Sequence, residues 1–170
     1  MNSPIISVKW LNEHLNNSNI IVLDASPKSN ISGLASEYED LQIPHTRYFD
    51  LKKDFSAPNS EFPNTIPSLE QFEKNAQHLG INQDSIIVVY DNLGIYSSPR
   101  AWWLFKTFGH ENVYVLDGGL PEWIKSGHLT ENTSKNSVYN KGNFKAQFLK
   151  ENIRYYDDIK KISFQKKNSL

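Results

Sequence analysis

Residues 86–103 of the chain read IIVVYDNLGIYSSPRAWW, and residues 113–123 read VYVLDGGLPEW. Each segment begins with a continuous apolar run, which is typical of a strand buried on both faces. Pro99 suits the first turn of a helix that extends to about Phe108. Between them the segments therefore predict a strand, a helix and a second strand, which is the repeating unit of a parallel sheet.

The same alternation of strands and helices extends toward the N-terminus. An apolar run at residues 20–23 ends at Asp24, and residues 47–50 form a weaker candidate strand. Capping and periodicity predict three further helices, which begin at Ser7, Ser68 and Glu122. The predicted fold is α/β, a parallel sheet of about five strands with helices on both faces. Ligands bind beyond the carboxyl ends of such strands, so the loops to inspect follow Leu23, Tyr90 and Leu116.

Composition excludes several classes of protein. The 170 residues carry a formal net charge of −1, which gives no reason to expect a nucleic-acid partner. No apolar run approaches the roughly 20 residues of a membrane span, and residues 1–10 do not resemble a secretory signal. We therefore expect a cytoplasmic protein with no membrane partner.

The chain has no cysteine. This absence removes disulfides, thiolate metal ligands and cysteine nucleophiles. The five histidines lack a metal-ligand spacing such as His-x-x-x-His. We therefore expect neither a metal site nor a cofactor.

The C-terminal region has a different composition. Residues 130–143 are rich in Asn, Ser, Thr and Lys, which is typical of a linker. Beyond them, Tyr155, Ile159 and Ile162 have helical spacing. No predicted strand follows that helix before Leu170, which is an unusual end for a complete domain.

The Tyr-Ser-Ser-Pro-Arg-Ala-Trp-Trp block that begins at Tyr96 and the Leu-Asp-Gly-Gly-Leu block that begins at Leu116 carry a family resemblance. Together they resemble the N-terminal domain of two-domain rhodaneses, the thiosulfate and 3-mercaptopyruvate sulfurtransferases. Shorter matches lie elsewhere between residues 5 and 128, at positions 23–26, 42–44, 48–50 and 105–110. The resemblance implies a rhodanese-like domain at residues 1–128, an interdomain linker at 129–150, and the truncated start of a second rhodanese domain at 151–170.

The resemblance also implies a chemistry. Such enzymes move a sulfane sulfur from thiosulfate or 3-mercaptopyruvate to cyanide or a thiol through a cysteine persulfide. In this chain Asp91 occupies the cysteine position of the loop after Tyr90, and a carboxylate cannot form a persulfide. We expect Asp91 to accept N–H groups of its own loop. The resemblance thus implies a non-catalytic N-terminal domain, inactive by itself, whose parent protein carries the cysteine in a second domain and uses no cofactor.

Four residues are candidates for a substrate-pocket wall or an interdomain surface. By position in the family, Ile95 and Tyr96 are expected to face the pocket. The family often has an aromatic residue where this chain has Pro27, and a histidine where it has Gln42. The histidine is a potential anion-binding donor, although a glutamine amide can also donate. The implied partners are the second rhodanese domain and a small anionic sulfur donor.

Four other residues of the motif blocks are predicted to be structural. Arg100, at the start of a helix, is expected to pair with a carboxylate such as Asp117. Trp102 and Trp103 lie in a helix that is apolar nearly all round, and we expect them in the core.

Two other functions remain open at this stage. The first is a stand-alone, catalytically silent rhodanese-like binding module, which the absence of cysteine fits equally well. The second is a phosphatase with Asp91 as nucleophile. Such enzymes usually place a magnesium-binding carboxylate two residues later, and that position is Leu93. An isolated first domain would also expose apolar surface, so we expect some self-association.

Overall fold

The computed structural model describes residues 3–28, 33–133 and 137–160. Within these residues, strands and helices alternate through most of the chain. The strands are β1 (Ile5–Ile6), β2 (Ile20–Asp24), β3 (Leu41–Gln42), β4 (Arg47–Tyr48), β5 (Ile86–Tyr90), β6 (Val113–Leu116) and β7 (Glu131–Asn132). The helices are α1 (Val8–His14), α2 (Leu69–His78), α3 (Ser98–Thr107), α4 (Gly119–Lys125) and a short 3-10 helix at Lys150–Asn152.

Five strands form one parallel sheet in the order β1-β6-β5-β2-β4. Side chains of β2 alternate between two apolar clusters, as a strand requires. Ile21 and Leu23 join a cluster with α2 and α3, whereas Ile20 and Val22 join one with α1 and α4. The sheet is therefore covered on both faces, and the predicted α/β fold is confirmed.

Local signals account for the helix boundaries. The Ser7 hydroxyl accepts the Trp10 N–H (3.2 Å), and the Ser68 hydroxyl accepts the Gln71 N–H (3.1 Å), so both predicted caps are present. Helix α4 begins at Gly119, three residues before its predicted start at Glu122. Gly118 precedes it with φ of 67°, a left-handed conformation that glycine adopts without steric cost.

Residues 129–150, for which an interdomain linker is predicted, contact the sheet domain over much of their length. Strand β7 pairs antiparallel with β3. Phe144 is fully buried in the cluster under α2 and α3, and its N–H donates to the Ile81 carbonyl (3.1 Å). The Gln147 and Leu149 N–H groups donate to the end of α3. This segment therefore contributes a side chain to the core of the sheet domain.

Most of the described residues after the 3-10 helix, 153–160, are exposed. Residues 156–160 are helical, and Tyr155, Tyr156 and Ile159 are each more than half exposed. Ile162 and the rest of the predicted second-domain start lie outside the described residues. No helix in the described ranges is long and apolar enough to cross a membrane.

Candidate functional site

Three loops meet at the carboxyl edge of the sheet. The loops after β2 and β5 are tied together because Asn92 N–H donates to Ser26 Oγ (2.9 Å) and Ser97 Oγ donates to the Ala25 carbonyl (2.8 Å). The loop after β6 joins them through the Leu120 N–H, which donates to the Asp91 carbonyl (3.0 Å). The three loops chosen from the sequence therefore form one surface.

Asp91 begins the loop after β5 and is fully buried. Its Oδ2 accepts the backbone N–H groups of Tyr96 (2.8 Å), Ser97 (3.0 Å) and Ser98 (2.9 Å), and also the Ser98 hydroxyl (2.7 Å). Its Oδ1 accepts the Leu93 N–H (3.1 Å). These donors precede or begin α3, where the helix dipole also favours an anion. The N–H groups of this loop that could hold a bound anion are therefore bonded to the protein's own carboxylate.

A second buried carboxylate, Asp24, lies at the end of the neighbouring strand, in register with Tyr90. Its Oδ1 accepts the Ser26 N–H (2.8 Å) and the Ser26 hydroxyl. Burial raises the pKa of Asp24, and the nearby Asp91 charge acts in the same direction, while the Ser26 hydrogen bonds oppose both. Asp24 was not among the site residues predicted from the sequence, although its place directly after a buried strand was a usable signal.

Two adjacent cavities open beside these loops. The larger, of about 600 Å³, lies between the loop after β2 and the start of α3; the smaller, of about 300 Å³, lies toward β3. Of the four predicted wall residues, Pro27 lines both cavities, Tyr96 lines the larger and Gln42 the smaller. Ile95, beside Tyr96, is 48% exposed. Gln42 itself is buried, and its amide donates to the Glu131 carboxylate (2.7 Å).

Arg100 lines the larger cavity. Its Nη2 donates to the Asn64 carbonyl oxygen, and its guanidinium lies 5.8 Å from the centre of the Trp103 ring. The expected ion pair with Asp117 is not found within the described residues. The two residues do not pair because Asp117 is held at the end of β6, where its N–H donates to the Ile6 carbonyl (2.9 Å).

Trp102 and Trp103 lie at the margin of the core rather than in its centre. Both are partly buried against the cluster under α2 and α3. A partly buried indole N–H needs an acceptor. Trp102 donates to the Val113 carbonyl (3.1 Å), and Trp103 donates to the Asn152 carbonyl (3.2 Å). They therefore join α3 to the neighbouring strand and to the C-terminal 3-10 helix.

The basic side chains around the larger cavity were not predicted from the sequence. Lys28 and Asp50 form an ion pair there (2.9 Å), and the Lys28 ammonium lies 5.1 Å from the centre of the Tyr48 ring. Lys52 and Lys53 also line the cavity. They come from the segments after β2 and β4, where no motif of the sequence marks them. In the described part of the chain, no three His, Asp or Glu side chains converge on a possible metal site.

Comparison with known proteins agrees with this architecture. The sequence model of the family described as the rhodanese-like domain matches residues 7–126. The chain belongs to the rhodanese family. The resemblance inferred from the motif blocks of this rhodanese chain is therefore confirmed.

Named relatives of this rhodanese chain are sulfurtransferases. Thiosulfate/3-mercaptopyruvate sulfurtransferase 2 of Arabidopsis thaliana is 36% identical over 168 residues, which cover 98% of this chain and 48% of the relative. The 3-mercaptopyruvate sulfurtransferase of Escherichia coli K12 is 34% identical, covering 91% and 55%. The crystal structure of the Escherichia coli 3-mercaptopyruvate sulfotransferase superposes with a TM-score of 0.85 at 31% identity, covering 97% of this chain and 63% of that one. The chain thus spans about half the length of the curated relatives it matches.

Proposed function

We propose that this chain is the N-terminal, non-catalytic rhodanese domain of a sulfurtransferase. The whole protein would move sulfane sulfur from thiosulfate or 3-mercaptopyruvate to cyanide or a thiol, through a cysteine persulfide in a second rhodanese domain. The observation that carries the proposal is the buried Asp91 carboxylate, which takes up the N–H groups of the loop.

The chemistry follows from what that loop holds. A persulfide requires a thiolate, and backbone N–H groups at a helix N-terminus are the usual means of stabilising one. Here the N–H groups of Tyr96, Ser97 and Ser98 are already bonded to Asp91. The fixed negative charge also repels an anionic donor. The loop supports an anion but supplies no nucleophile for sulfur.

The role left to this domain is to form part of a pocket wall. Pro27, Tyr96 and Gln42 line the two cavities at the carboxyl edge, and Ile95 is exposed beside them. We propose that a second rhodanese domain of the same chain docks against this edge and presents its cysteine there. The half-length coverage of the relatives supports this arrangement. We also propose a cytoplasmic location, although one Arabidopsis thaliana relative is named as mitochondrial.

The test compares two proteins, the 170-residue chain and the full product of the native gene. Thiocyanate formation from cyanide is measured with thiosulfate and with 3-mercaptopyruvate as donors. We expect no turnover by the 170-residue chain and turnover by a longer product that contains a cysteine. Turnover by the 170-residue chain would overturn the proposal. A native product that ends near Leu170 would favour the alternative, a stand-alone silent binding module.

The pocket wall is tested in the full product. Tyr96→Ala should raise KM for the donor several-fold. The effect on kcat should be smaller, because the tyrosine ring forms part of the pocket wall and does not take part in the reaction. Phe62→Ala is the matched control, since Phe62 is 67% exposed and lies outside the two cavities. Equal KM values for the two variants would contradict the wall assignment.

A further inference from the structure

Residues 142–149, which we call the strap, run along the C-terminal ends of α2 and α3. Four N–H groups of the strap donate to carbonyls of the sheet domain: Gly142 to Gln77 (2.8 Å), Phe144 to Ile81 (3.1 Å), Gln147 to Phe108 (3.1 Å) and Leu149 to Thr107 (2.8 Å). The structure describes every residue of the strap, and Phe144 alone among them is buried. One side chain therefore anchors the strap in the core.

His110 packs against this anchor. The residue is 2% exposed, and the centre of its ring lies 5.6 Å from that of Phe144 and 5.9 Å from that of Phe105. The ring Nε2 lies 2.8 Å from the Ser85 carbonyl oxygen. Because a carbonyl only accepts, Nε2 carries the proton of the neutral ring. The imidazole is thus bonded to the residue before β5 and packed against the anchor of the strap.

Acid adds a second proton to this ring, and burial makes that proton costly. Burial lowers the pKa of His110; hydrogen bonds with the backbone of Ser85 and Asn112 act against this, and the Lys106 charge acts with it. Among the described residues His110 forms no ion pair, so a buried imidazolium would lack a compensating charge. In an opened state that admits water, the ring would have the ordinary histidine pKa near 6.5.

The charged groups on the neighbouring elements respond differently to acid. Asp84 before β5 and Glu111 beside the imidazole are exposed. On the strap, Lys145 pairs with Glu73 of α2 (3.1 Å), and the Ala146 N–H donates to the same carboxylate (2.9 Å). The Ala146 N–H and the Lys145 ammonium lower the pKa of Glu73, so this carboxylate stays charged down to pH 5. The contact between α2 and the strap therefore persists while the imidazole takes up a proton.

We propose that His110 is an acid-sensitive latch for the strap. The neutral ring holds the Phe144 anchor in the core, and the doubly protonated ring favours a state in which the anchor has left and water reaches the imidazole. The stabilisation is fully present above the pKa of the opened state and is lost as pH falls through the pKa of the closed state. For a group of pKa 6.5, release is favoured up to about 30-fold at pH 5.0 relative to pH 7.5. The inference does not rest on the proposed sulfurtransferase function.

The test is amide hydrogen exchange of the 170-residue chain, followed by NMR at pH 7.5 and 5.0. Each rate is expressed as protection relative to an unstructured chain at the same pH. We expect the protection of the four bonded strap amides to fall about 10- to 30-fold on acidification, and to lie below that of the β5 amides at both pH values. Strap protection that does not change with pH would overturn the proposal. Equal protection of strap and β5 would also overturn it, because the strap would then leave only when the whole unit unfolds.

Two histidine variants locate the acid response. His110→Gln keeps an amide donor for the Ser85 carbonyl and takes up no proton, so its strap protection should differ by no more than about twofold between the two pH values. His78→Gln is the matched control, because His78 is exposed at the end of α2. This control should show the same fall as the parent chain. A full acid response in His110→Gln, or its loss in His78→Gln, would overturn the assignment to His110.

A titration of the parent chain keeps the test decisive if His110→Gln fails to fold. The ring C–H resonances of His110, followed by NMR against pH in the folded chain, should titrate with a midpoint below 6.5, and strap protection should fall in the same range. A midpoint at or above 6.5 would overturn the proposal, because acid would then not favour release of the strap.

Discussion

Ser98 donates both its backbone N–H (2.9 Å) and its hydroxyl (2.7 Å) to the same oxygen of Asp91. The first residue of α3 is thereby fixed to the residue that directly follows β5. Because both residues are fully buried, water cannot replace either bond. The position of the helix, and of the cavity wall that it carries, therefore depends on this carboxylate.

The first prediction concerns Asp91 itself. Asp91→Ala should lower the free energy of unfolding by about 2–4 kcal/mol, since it leaves several buried donors without an acceptor. Asp91→Asn should also be destabilised, although less, because its amide oxygen can still accept while its amide hydrogens face other donors. Urea unfolding followed by circular dichroism measures both losses.

Asp117→Asn is the control for this pair of variants. Asp117 follows the next strand of the sheet and is exposed, so its substitution should change the free energy of unfolding by no more than about 0.5 kcal/mol. If Asp91→Ala unfolds at the same urea concentration as Asp117→Asn, the carboxylate does not hold the loop.

The second prediction concerns pH and Asp24. The pKa of the folded carboxyl is raised by burial and by Asp91. Because the folded pKa is raised, the contribution of the Asp24 carboxyl to the free energy of unfolding is fully present below its pKa in the unfolded chain. That contribution is lost as pH rises through its pKa in the folded chain. Asp24→Asn keeps an acceptor for Ser26 and removes the charge. It should therefore be at least as stable as the parent chain at pH 7, with a smaller advantage as pH falls toward 4.

Urea midpoints measured between pH 4 and 8 test this dependence. Asp84→Asn, at an exposed aspartate, controls for the loss of one negative charge from the molecule. A midpoint difference between Asp24→Asn and the parent chain that does not change with pH would contradict the assignment.

The third prediction concerns the segment after β7. Phe144→Ala should cost about 3–5 kcal/mol, because it empties a fully buried aromatic position. The Phe144 ring lies 6.0 Å from Phe72 and 6.4 Å from Phe105, centre to centre. Phe62→Ala, at an exposed phenylalanine, should fall within about 0.5 kcal/mol of the parent chain. Equal stability of the two variants in urea unfolding would show that residues around position 144 are not part of the core.

Much of the fold is readable from local signals. The apolar runs at β2, β5 and β6 predict their strands, and Ser7 and Ser68 mark their helices, because each signal lies within the element it specifies. The two-residue strands β3 and β7 carry no such signal. Their pairing joins residues about ninety positions apart, and only the folded chain brings these partners together. For the same reason the polar composition of residues 129–150 did not reveal the burial of Phe144.

The candidate site could likewise be predicted from the sequence only in part. The position of Asp91 in a loop between strand and helix is readable from the motif, and its surroundings follow from the loop geometry. The basic cavity lining is not readable, because Lys28, Lys52 and Arg100 come from three separate segments. The pairing of Arg100 was misjudged because a helix N-terminus can face any of several loops, and here it faces Asn64.

The fourth prediction concerns association of the chain with itself. Ile95 and Tyr96 are 48% and 43% exposed on the edge that we assign to a partner domain. Apolar surface of this kind favours contact between copies, so light scattering at high concentration should show an apparent mass above 19.6 kDa. Ile95→Lys should lower that mass.

Leu129→Lys serves as the control, because Leu129 is also exposed but lies outside the two cavities at the carboxyl edge. A parent chain that stays monomeric at every concentration would contradict the prediction. So would an equal effect of the two lysine variants.

The buried position of Phe144 also bears on how the protein is made. A polypeptide leaves the ribosome from its N-terminus and generally folds one unit at a time. The sheet strands and α2 emerge early, but the ring that packs against Phe72 and Phe105 is among the last residues of this unit to be synthesised. Until it emerges, the aromatic face beneath α2 and α3 stays uncovered in the nascent chain. We therefore expect this unit to complete its folding only after translation has passed residue 144, and a nascent chain stalled before that point to be prone to aggregation.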